Sequence, residues 1–584
     1  MKEEAVCEIA CNGFEALHLA VIDSDVALII GVPGYPVTSL MELFLKTDMP
    51  LTNTHNTHKS TYRANWLTNE KVALEIALGA SVSGRRALVL VKHVGMNLLS
   101  DPLITSVTHT IGAGLVIIAG DDPGVKGSQN EQDSRWYGRI AEVAVFDPVN
   151  PDTAYRTLRR AYELSEEIRA PVILRVTAGL EKTEGKVRRL PASSAVHPLF
   201  DRSIWRLRMM EKHQHFHSKV YPMLEAEAEN TDLNKVTEEI EEEIEEEIEE
   251  KGIEEIEADT QTSEQKEVER IKGVKRIGII SSGFASSVVE TVLKKPGYSH
   301  GFSHLILNLV NPLPLQKIGN FLKNNRRVLV AEESEPFIEE HIRISGNVCG
   351  KKTGHLPYGQ IMPEDVEFAL EHIEEDTVSS PVDPIRTEFR KKDRAAICED
   401  CPYLPLYHFL RTSDIQVAGD MGCSVRSAPE PLAAVDVSFA LGSAISVACG
   451  FEKKGIAVIG DFALAHSGIL GLLNAASEGY EVLVLVLQNE VAAMTGGQKV
   501  PELKKVIEAI VPDVSVFNLD VEEGKEVQDG EEKREGNTGK EIEKEMGKEV
   551  KKSTPYSELS DLIREKLTLP GTSVIFIKGK CRKY

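Results

Sequence analysis

The sequence predicts an α/β fold in which mostly parallel sheets carry helices on their faces. Continuous apolar stretches such as 87–91 and 482–487 are typical of strands buried on both faces. They alternate with helical segments such as 70–81 and 152–168. Polar residues follow directly after several strands, and open parallel sheets bind their ligands at that edge. We therefore expect doubly wound sheets with functional side chains at the carboxyl ends of strands.

Length and charge limit the class of protein. The 584 residues suffice for several buried cores, and the net charge of −24 argues against nucleic acid or an anionic membrane as a partner. No apolar stretch is long enough to span a membrane, and the charged start Met1-Lys2-Glu3-Glu4 is unlike a signal peptide. We expect a cytoplasmic protein whose eight cysteines are thiols or metal ligands.

Composition divides the chain into four predicted segments. An α/β domain at 1–185 is followed by a linker at 186–272, a smaller α/β domain at 273–375 and a last α/β domain at 390–584. In the smaller domain, the apolar stretch 305–310 predicts one strand.

Two charged insertions interrupt this pattern. The linker contains the glutamate-rich stretch 238–256, with isoleucines at four-residue spacing, and the last domain is broken by the charged stretch 521–552. We interpret the acidic stretch as a solvated insertion, with a partner-binding helix as the alternative. The alternating His213, His215 and His217 of the linker favour an exposed surface over a metal site.

The last domain contains two strand ends that predict a magnesium site. The apolar stretch 455–459 leads into Gly460 and Asp461, and 482–487 leads to Asn489. A strand, helix and strand in this order place both strand ends at one edge. Carboxylate and amide oxygens are hard ligands that suit Mg²⁺, which keeps phosphate oxygens in its other positions. The alternative is an ordinary strand–helix–strand unit with a loop aspartate.

Several motifs occur in an order that resembles a known family. They are Asn69–Glu75, Lys92–Asn97, Gly120–Gly124 with Ser128–Asp133, Gly419–Cys423, Gly450–Lys453 and Ala493–Gln498. The order is similar to the large subunits of indolepyruvate ferredoxin oxidoreductases, among the thiamine diphosphate-dependent 2-oxoacid:ferredoxin oxidoreductases. This resemblance implies two doubly wound thiamine-binding domains, pyrimidine-type at 1–185 and diphosphate-type at 390–584. It also implies that the domain between them is transketolase-C-like.

The resemblance assigns a role to each strand-end residue of the last domain. Gly460, Asp461 and Asn489 match the family's Gly-Asp-Gly…Asn signature, and the backbone carbonyl of Val491 would be the third protein ligand of Mg²⁺ on the cofactor diphosphate. Two positions depart from the signature, because Phe462 replaces its second glycine and Gln488 replaces the first residue of an Asn-Asn pair.

In the first domain the resemblance implies three catalytic residues. Glu70 matches the glutamate that hydrogen-bonds the cofactor aminopyrimidine and promotes loss of the thiazolium C2 proton. Otherwise Glu70 is a first-turn carboxylate that complements the helix dipole. Thr38 matches a threonine that contacts the 2-oxoacid carboxylate, although Ser39 replaces the family's following proline. His93 would face the cofactor, and the alternative is a capping or core histidine.

Four cysteines match the ligands of a four-iron four-sulfur cluster in related enzymes. Cys398, Cys401, Cys423 and Cys581 combine a CxxC with two distant positions, which also suits a tetrahedral zinc or unligated thiols. The surroundings differ from the family pattern, with Glu399-Asp400 in place of Pro-Gly and Tyr403 in place of His. The remaining cysteines are expected to be buried apolar packing; they are Cys7, Cys11, Cys349 and Cys449.

The resemblance implies an enzyme that converts an aryl 2-oxoacid to an acyl-CoA and CO₂. Its cofactors would be thiamine diphosphate, Mg²⁺ and the iron–sulfur cluster. Its partners would be a smaller β subunit in a hetero-oligomer, ferredoxin and coenzyme A. The chain ends at Tyr584, so we expect electrons to leave through another subunit or by direct docking of ferredoxin. The alternatives are a non-oxidative thiamine-dependent decarboxylase or carboligase, and a catalytically silent scaffold subunit.

Overall fold

The computed structural model describes residues 8–46, 62–192, 197–238, 276–298, 301–378, 397–519 and 555–584. The chain forms two compact units, an N-terminal unit of residues 1–383 and a C-terminal unit of residues 384–584. The first three predicted segments fall in the N-terminal unit, and their boundaries stay predictions. The charged stretch 521–552 and the acidic stretch 238–256, apart from its first residue, lie outside the described residues.

The N-terminal unit is built from alternating strands and helices. Its strands are β1 Glu8–Asn12, β2 Leu28–Gly31, β3 Arg63–Trp66, β4 Ala87–Lys92, β5 Leu115–Asp121, β6 Val145–Phe146, β7 Val172–Thr177, β8 Glu184–Arg188, β9 Lys235–Glu238, β10 Arg276–Ser282, β11 Phe302–Leu307, β12 Leu309–Asn311, β13 Asn325–Ala331 and β14 Val348–Cys349. Its helices are α1 Gly13–Asp23, α2 Val37–Leu45, α3 Glu70–Val82, α4 His93–His109, α5 Arg135–Ala141, α6 Pro151–Ile168, α7 Ala178–Lys182, α8 Arg202–Trp205, α9 Met209–His215, α10 Tyr221–Asn230, α11 Phe284–Leu293, α12 Leu315–Asn324, α13 Phe337–Ile342 and α14 Pro363–Glu371.

Two large sheets organise this unit. A seven-stranded sheet has the order β12-β6-β7-β5-β4-β2-β3, and a five-stranded sheet has the order β14-β13-β10-β11-β9. Neighbouring strands are parallel except β12 on β6 and β9 on β11. Every residue of β5 and β7 is buried, as expected for parallel strands with both faces covered. The predicted α/β class with parallel sheets is confirmed.

One strand prediction is wrong, because 305–310 forms two strands in different sheets. β11 pairs with β10, whereas β12 pairs with β6 of the seven-stranded sheet. Between them, the buried Asn308 donates to the Leu233 carbonyl at 2.6 Å and its own carbonyl accepts from the Asp147 N–H at 2.7 Å. These polar contacts redirect the chain, and hydropathy does not reveal them.

The C-terminal unit contains one five-stranded parallel sheet in the order β15-β16-β17-β21-β20. The strands of the unit are β15 Val417–Ala418, β16 Gly455–Gly460, β17 Val482–Gln488, β18 Val491–Ala492, β19 Gln498–Lys499, β20 Val514–Asn518 and β21 Thr572–Lys578. Its helices are α15 Leu404–Thr412, α16 Ala444–Ala448, α17 Asp461–Ala463, α18 Ile469–Glu478, α19 Lys504–Ile510 and α20 Pro555–Thr568. Because β21 pairs with β17, the last strand lies beside the predicted magnesium edge.

Within the described part of the chain, every helix is too short or too polar to cross a membrane.

Candidate active site

The C-terminal unit brings Asp461 and Asn489 together at the end of two parallel strands. Gly460 of β16 is in register with Leu487 of β17, so both chains leave the sheet at one edge. There the Asp461 Oδ2 atom accepts hydrogen bonds from the N–H groups of Asn489 at 3.1 Å and Glu490 at 2.6 Å. The predicted neighbourhood of the two residues is therefore present, and their role as ligands stays a proposal.

The charge on Asp461 is costly without a cation. The residue is 7% exposed, and burial raises the pKa of its carboxyl to about 6. The backbone N–H groups that donate hydrogen bonds to this carboxyl act in the opposite direction and lower its pKa. A hard cation beside the carboxylate would offset this desolvation. The space next to Gly460 is open, since a Cβ there would meet no atom within 4 Å. The residues at this edge fit a metal-bound diphosphate.

The turn after β17 positions the remaining predicted ligands. The Asn489 Oδ1 atom accepts a hydrogen bond from the Val491 N–H at 3.1 Å, and Glu490 between them has a left-handed φ of 64°. Val491 then begins β18, which pairs with β19. Gln488, a departure from the family signature, holds its amide Oε1 buried without a hydrogen-bond partner among the described residues. An unsatisfied buried oxygen is costly and points to a ligand at this edge.

Asp420 is a further candidate site residue, which sequence reasoning did not single out. It is wholly buried, its Oδ1 atom accepts from the Gly442 N–H at 2.6 Å, and its Oδ2 atom has no partner among the described residues. Burial raises the pKa of its carboxyl to about 6, and the nearby charge of His466 acts to lower it. His466 lies in the π-helical turn Leu464–Gly468 that directly follows α17, a rare element that often occurs at functional sites. The matched motif Gly419–Cys423 contained Asp420, but only the fold shows its unsatisfied oxygen.

In the N-terminal unit, Glu70 is the first residue of α3 and only 4% exposed. Asn69 caps the helix by accepting a hydrogen bond from the Val72 N–H at 3.3 Å. The Glu70 side chain packs on Gly95 of α4, where a Cβ would lie 2.8 Å from the Glu70 Oε1 atom. A purely helix-capping carboxylate has no need of such burial, because the dipole effect also operates at the surface. The burial favours the catalytic interpretation, and the role of Glu70 stays a proposal.

His93 and Lys92 lie where β4 meets α4 and contact one loop. The His93 ring is fully buried, and its Nε2 atom lies 3.3 Å from the Asn130 Oδ1 atom. Its Nδ1 atom has no partner among the described residues, so a core-satisfying histidine is disfavoured. The adjacent Lys92 donates from Nζ to the Gln129 Oε1 atom at 2.8 Å. Two neighbouring side chains thus hold the 128–133 loop against the end of β4.

Thr38 is engaged within its own turn. Its hydroxyl accepts from the Gly34 N–H at 2.9 Å and donates to the Gly34 carbonyl at 3.0 Å. Gly34 in turn lies on the Lys92 side chain, since a Cβ on Gly34 would come within 2.6 Å of the Lys92 Cδ atom. Contact of Thr38 with a substrate would require its hydroxyl to reorient, and this role stays a proposal.

A buried ion-pair cluster beside this edge was also missed. Arg175 of β7 donates to Asp121 at 2.6 Å, and Arg135 of α5 pairs with Asp133 at 2.5 Å and with Glu332 at 2.7 Å. All five side chains are nearly inaccessible. Asp121 and Asp133 belong to the matched motifs, and here they neutralise buried arginines between the two sheets. The presence of these two aspartates in the matched motifs therefore has a structural explanation.

The four predicted cluster cysteines lie in one region. Burial raises the pKa of Cys401 to about 11, and the charges of Cys423, Cys398 and Cys581 add to that rise. Cys398 and Cys401 flank a tight turn closed by a backbone hydrogen bond of 3.1 Å. The Tyr403 hydroxyl donates to the Gly579 carbonyl at 2.9 Å, which ties this turn to the chain just before Cys581.

The arrangement is not that of a formed metal site. Among the described residues, no group of three or more His, Cys, Asp or Glu side chains is placed so that it could hold a metal ion. The thiols match a cluster in number and neighbourhood but not in arrangement, and iron–sulfur ligation stays a proposal. Of the other cysteines, Cys11 and Cys349 are buried as expected, Cys449 is half-buried, and Cys7 lies outside the described residues.

The linker histidines lie on or beside a helix rather than in a metal site. The His213 and His217 rings contact each other, with centroids 4.3 Å apart and planes tilted by 38°, and the His217 Nε2 atom lies 3.1 Å from a Glu142 carboxylate oxygen. His215 ends α9.

Comparison with known proteins agrees with this geometry. The family described as "Thiamine pyrophosphate enzyme, C-terminal TPP binding domain" matches residues 420–575. Indolepyruvate oxidoreductase subunit IorA of Archaeoglobus fulgidus is 28% identical over 515 residues, which cover 84% of this chain and 76% of that protein. The same subunit of Methanothermobacter marburgensis is 29% identical over 531 residues, with the same coverage.

Two further similarities are partial. Sulfopyruvate decarboxylase subunit alpha of Methanococcus maripaludis is 24% identical over 172 residues, 29% of this chain and 95% of that protein. A solved 2-oxoglutarate:ferredoxin oxidoreductase from Magnetococcus marinus matches with a TM-score of 0.45 and 15% identity, over 63% of this chain and 65% of that one.

The parallel sheet and its strand-end residues lie within the region that matches the thiamine pyrophosphate-binding family. Over 84% of its length the chain is similar to indolepyruvate oxidoreductase subunit IorA, and the resemblance carried by its motifs is confirmed.

Proposed function

We propose that the protein is the thiamine diphosphate- and Mg²⁺-dependent subunit of an oxidoreductase for aryl 2-oxoacids of the indolepyruvate type. The reaction would convert a 2-oxoacid and coenzyme A to an acyl-CoA, CO₂ and one proton, with two electrons passed to ferredoxin. The observation that carries the proposal is the meeting of Asp461 and Asn489 at one strand edge, within the region that matches thiamine enzymes.

The strand-end residues of the C-terminal unit and those of the N-terminal unit would contribute separate parts of the chemistry. When bound, thiamine diphosphate would supply the nucleophilic carbon and the electron-accepting ring that decarboxylation of a 2-oxoacid requires. Asp461, Asn489 and the Val491 carbonyl would hold Mg²⁺ on its diphosphate. Glu70 would hydrogen-bond the aminopyrimidine and hold the proton that activates the cofactor. The Nδ1 atom of His93 is buried without a partner among the described residues. It would donate a hydrogen bond to the reacting groups or accept one from them.

Electron transfer and assembly complete the proposal. Cys398, Cys401, Cys423 and Cys581 lie in one region and would ligate a four-iron cluster, for which their thiols would have to turn into an arrangement that the structure does not show. The relatives are named as subunits, which supports a hetero-oligomer with a smaller β subunit.

The second candidate is non-oxidative decarboxylation, favoured by the similarity to a sulfopyruvate decarboxylase subunit over 172 residues. The two reactions differ in their product. The test is anaerobic incubation of the purified protein with phenylpyruvate, coenzyme A, thiamine diphosphate, Mg²⁺ and methyl viologen. Phenylacetyl-CoA formed together with reduced viologen would support oxidoreduction, and phenylacetaldehyde without reduced viologen would establish the decarboxylase. If neither product forms although the protein is folded, the scaffold alternative would be favoured.

A further inference from the structure

We infer that Lys92, which contacts the Gly34 turn and the 128–133 loop, binds the carboxylate of the 2-oxoacid substrate. The inference rests on the proposed function and adds the residue that recognises the acid group. Sequence reasoning named Thr38 for this contact, but its hydroxyl already bonds to both polar backbone atoms of Gly34.

The position of Lys92 is fixed by contacts on two sides. Gly34 packs against its stem, and any side chain at position 34 would overlap the Lys92 Cδ atom. On the other side, Nζ donates to the Gln129 amide oxygen at 2.8 Å. Lys92 ends β4 directly before His93, so the ammonium group lies at the carboxyl edge of the sheet where ligands bind.

The charge of Lys92 is incompletely compensated. In the described part of the chain its hydrogen-bond partner is a neutral amide, and no carboxylate lies within salt-bridge distance of it. Burial lowers the pKa of the ammonium, and the more distant charges of Glu70 and Asp122 act to raise it. A half-enclosed cation held by an amide is unsatisfied, and an arriving carboxylate would supply a stronger charge-assisted hydrogen bond.

A second observation on the same loop points to a ligand. The buried Nδ1 atom of His93 has no partner among the described residues, while its Nε2 atom faces Asn130, the residue after Gln129. Lys92 and His93 thus offer one cation and one unsatisfied ring nitrogen at consecutive positions of the chain. This pairing suits a 2-oxoacid, whose carboxylate and keto oxygen are adjacent acceptors.

The test is ligand binding to the holoenzyme with an unreactive probe. We would measure the affinity of 3-phenylpropionate and of its neutral analogue 3-phenylpropionamide by calorimetry, with thiamine diphosphate and Mg²⁺ saturating. Lys92→Met should weaken phenylpropionate binding about 10- to 100-fold, the usual worth of a charge-assisted hydrogen bond, and leave the amide unchanged. The matched control is Lys71→Met, which removes an exposed lysine of α3 that pairs with Asp101, and it should change neither affinity.

Three outcomes for Lys92→Met would overturn the inference. Unchanged phenylpropionate affinity in Lys92→Met would exclude charge recognition, and an equal loss for both probes would assign Lys92 a structural role. A loss of thiamine diphosphate affinity with intact phenylpropionate binding would assign it to the cofactor instead and also overturn the inference. If Lys92→Met does not fold, Gln129→Glu keeps the lysine and places a competing carboxylate on it. That variant should weaken phenylpropionate binding, and unchanged binding would contradict the inference.

The result can be separated from the proposed function. If the wild-type protein forms phenylacetyl-CoA and Lys92→Met binds phenylpropionate normally, the inference alone fails. If the wild-type protein forms no acyl-CoA but its phenylpropionate binding depends on Lys92, the proposed function fails and the carboxylate site stands.

Discussion

The Glu70 carboxylate lies directly against Gly95, where a Cβ would stand 2.7 Å from the Glu70 Cγ atom and 2.8 Å from its Oε1 atom. Gly95 therefore provides the space that lets a buried carboxylate leave α3 and reach the sheet edge. No other residue type fits there without moving Glu70.

Gly95→Ala should displace Glu70 and slow cofactor activation more than it lowers stability. Exchange of the thiazolium C2 proton, followed by NMR after acid quench, should slow by about 100-fold, the usual contribution of a positioned acid or base. Glu70→Gln serves as the reference, because it shows how slow the exchange becomes when the carboxyl group is removed altogether. The control is Gly79→Ala on α3, the helix of Glu70, where a Cβ meets nothing within 4 Å. Normal exchange in Gly95→Ala would show that Glu70 does not activate the cofactor.

The strand pattern predicted much of the fold, because burial on both faces leaves a plain apolar stretch. The strand predicted at 482–487 is β17, which extends one residue further. The break at Asn308 was not predictable, since its bonds to Leu233 and Asp147 join residues far apart in sequence.

The residues of the candidate site likewise fall into a predictable and an unpredictable group. Asp461 and Asn489 were predictable because each directly follows an apolar strand. The unsatisfied oxygens of Asp420 and Gln488 were not, because a missing partner is a property of three-dimensional surroundings.

Asp461→Asn should strongly weaken Mg²⁺-dependent cofactor binding. The amide keeps an acceptor oxygen for the Asn489 and Glu490 N–H groups but loses the negative charge that holds the cation. We expect the Kd for thiamine diphosphate in Mg²⁺ to rise by about 100-fold or more, measured by calorimetry. Asp561→Asn, at an exposed aspartate of α20 paired with Arg564, is the control. Wild-type affinity in Asp461→Asn would exclude this metal site.

Cys581→Ser should remove bound iron while the fold remains. Cluster thiolates act together, so the loss of one ligand strips or destabilises the cluster. Iron content and visible absorption of anaerobically purified protein would both fall, while the C-terminal unit stays folded. Cys449→Ser is the control, because Cys449 has no matched role. Equal iron in the two variants would remove Cys581 from the proposed ligand set.

Glu333→Gln should make the stability of the protein less dependent on pH. Burial raises the pKa of Glu333 from 4.5 to about 7, with Arg175 and Lys351 opposing and Asp147 adding to the rise. The folded state therefore holds a proton that the unfolded state has lost, and wild-type stability falls as pH rises from 4.5 through 7. The loss is about 3 kcal/mol at most, at about 1.4 kcal/mol per pKa unit.

Thermal melts at pH 5 and pH 8 would measure this difference. The melting temperature of Glu333→Gln relative to wild type should be higher at pH 8 than at pH 5. Glu340→Gln, at an exposed carboxylate that pairs with Lys352, should show the same offset at both values. The same difference in melting temperature between Glu333→Gln and wild type at pH 5 and pH 8 would contradict the assigned pKa of Glu333.

The central claim, that one chain combines thiamine chemistry with electron transfer, is tested most directly by its cofactor content. Protein purified anaerobically should carry thiamine diphosphate and about four iron atoms per chain, with broad visible absorption that bleaches when phenylpyruvate and coenzyme A are added. Thiamine diphosphate without iron, and decarboxylation without any bleaching, would contradict the claim and identify a non-oxidative decarboxylase.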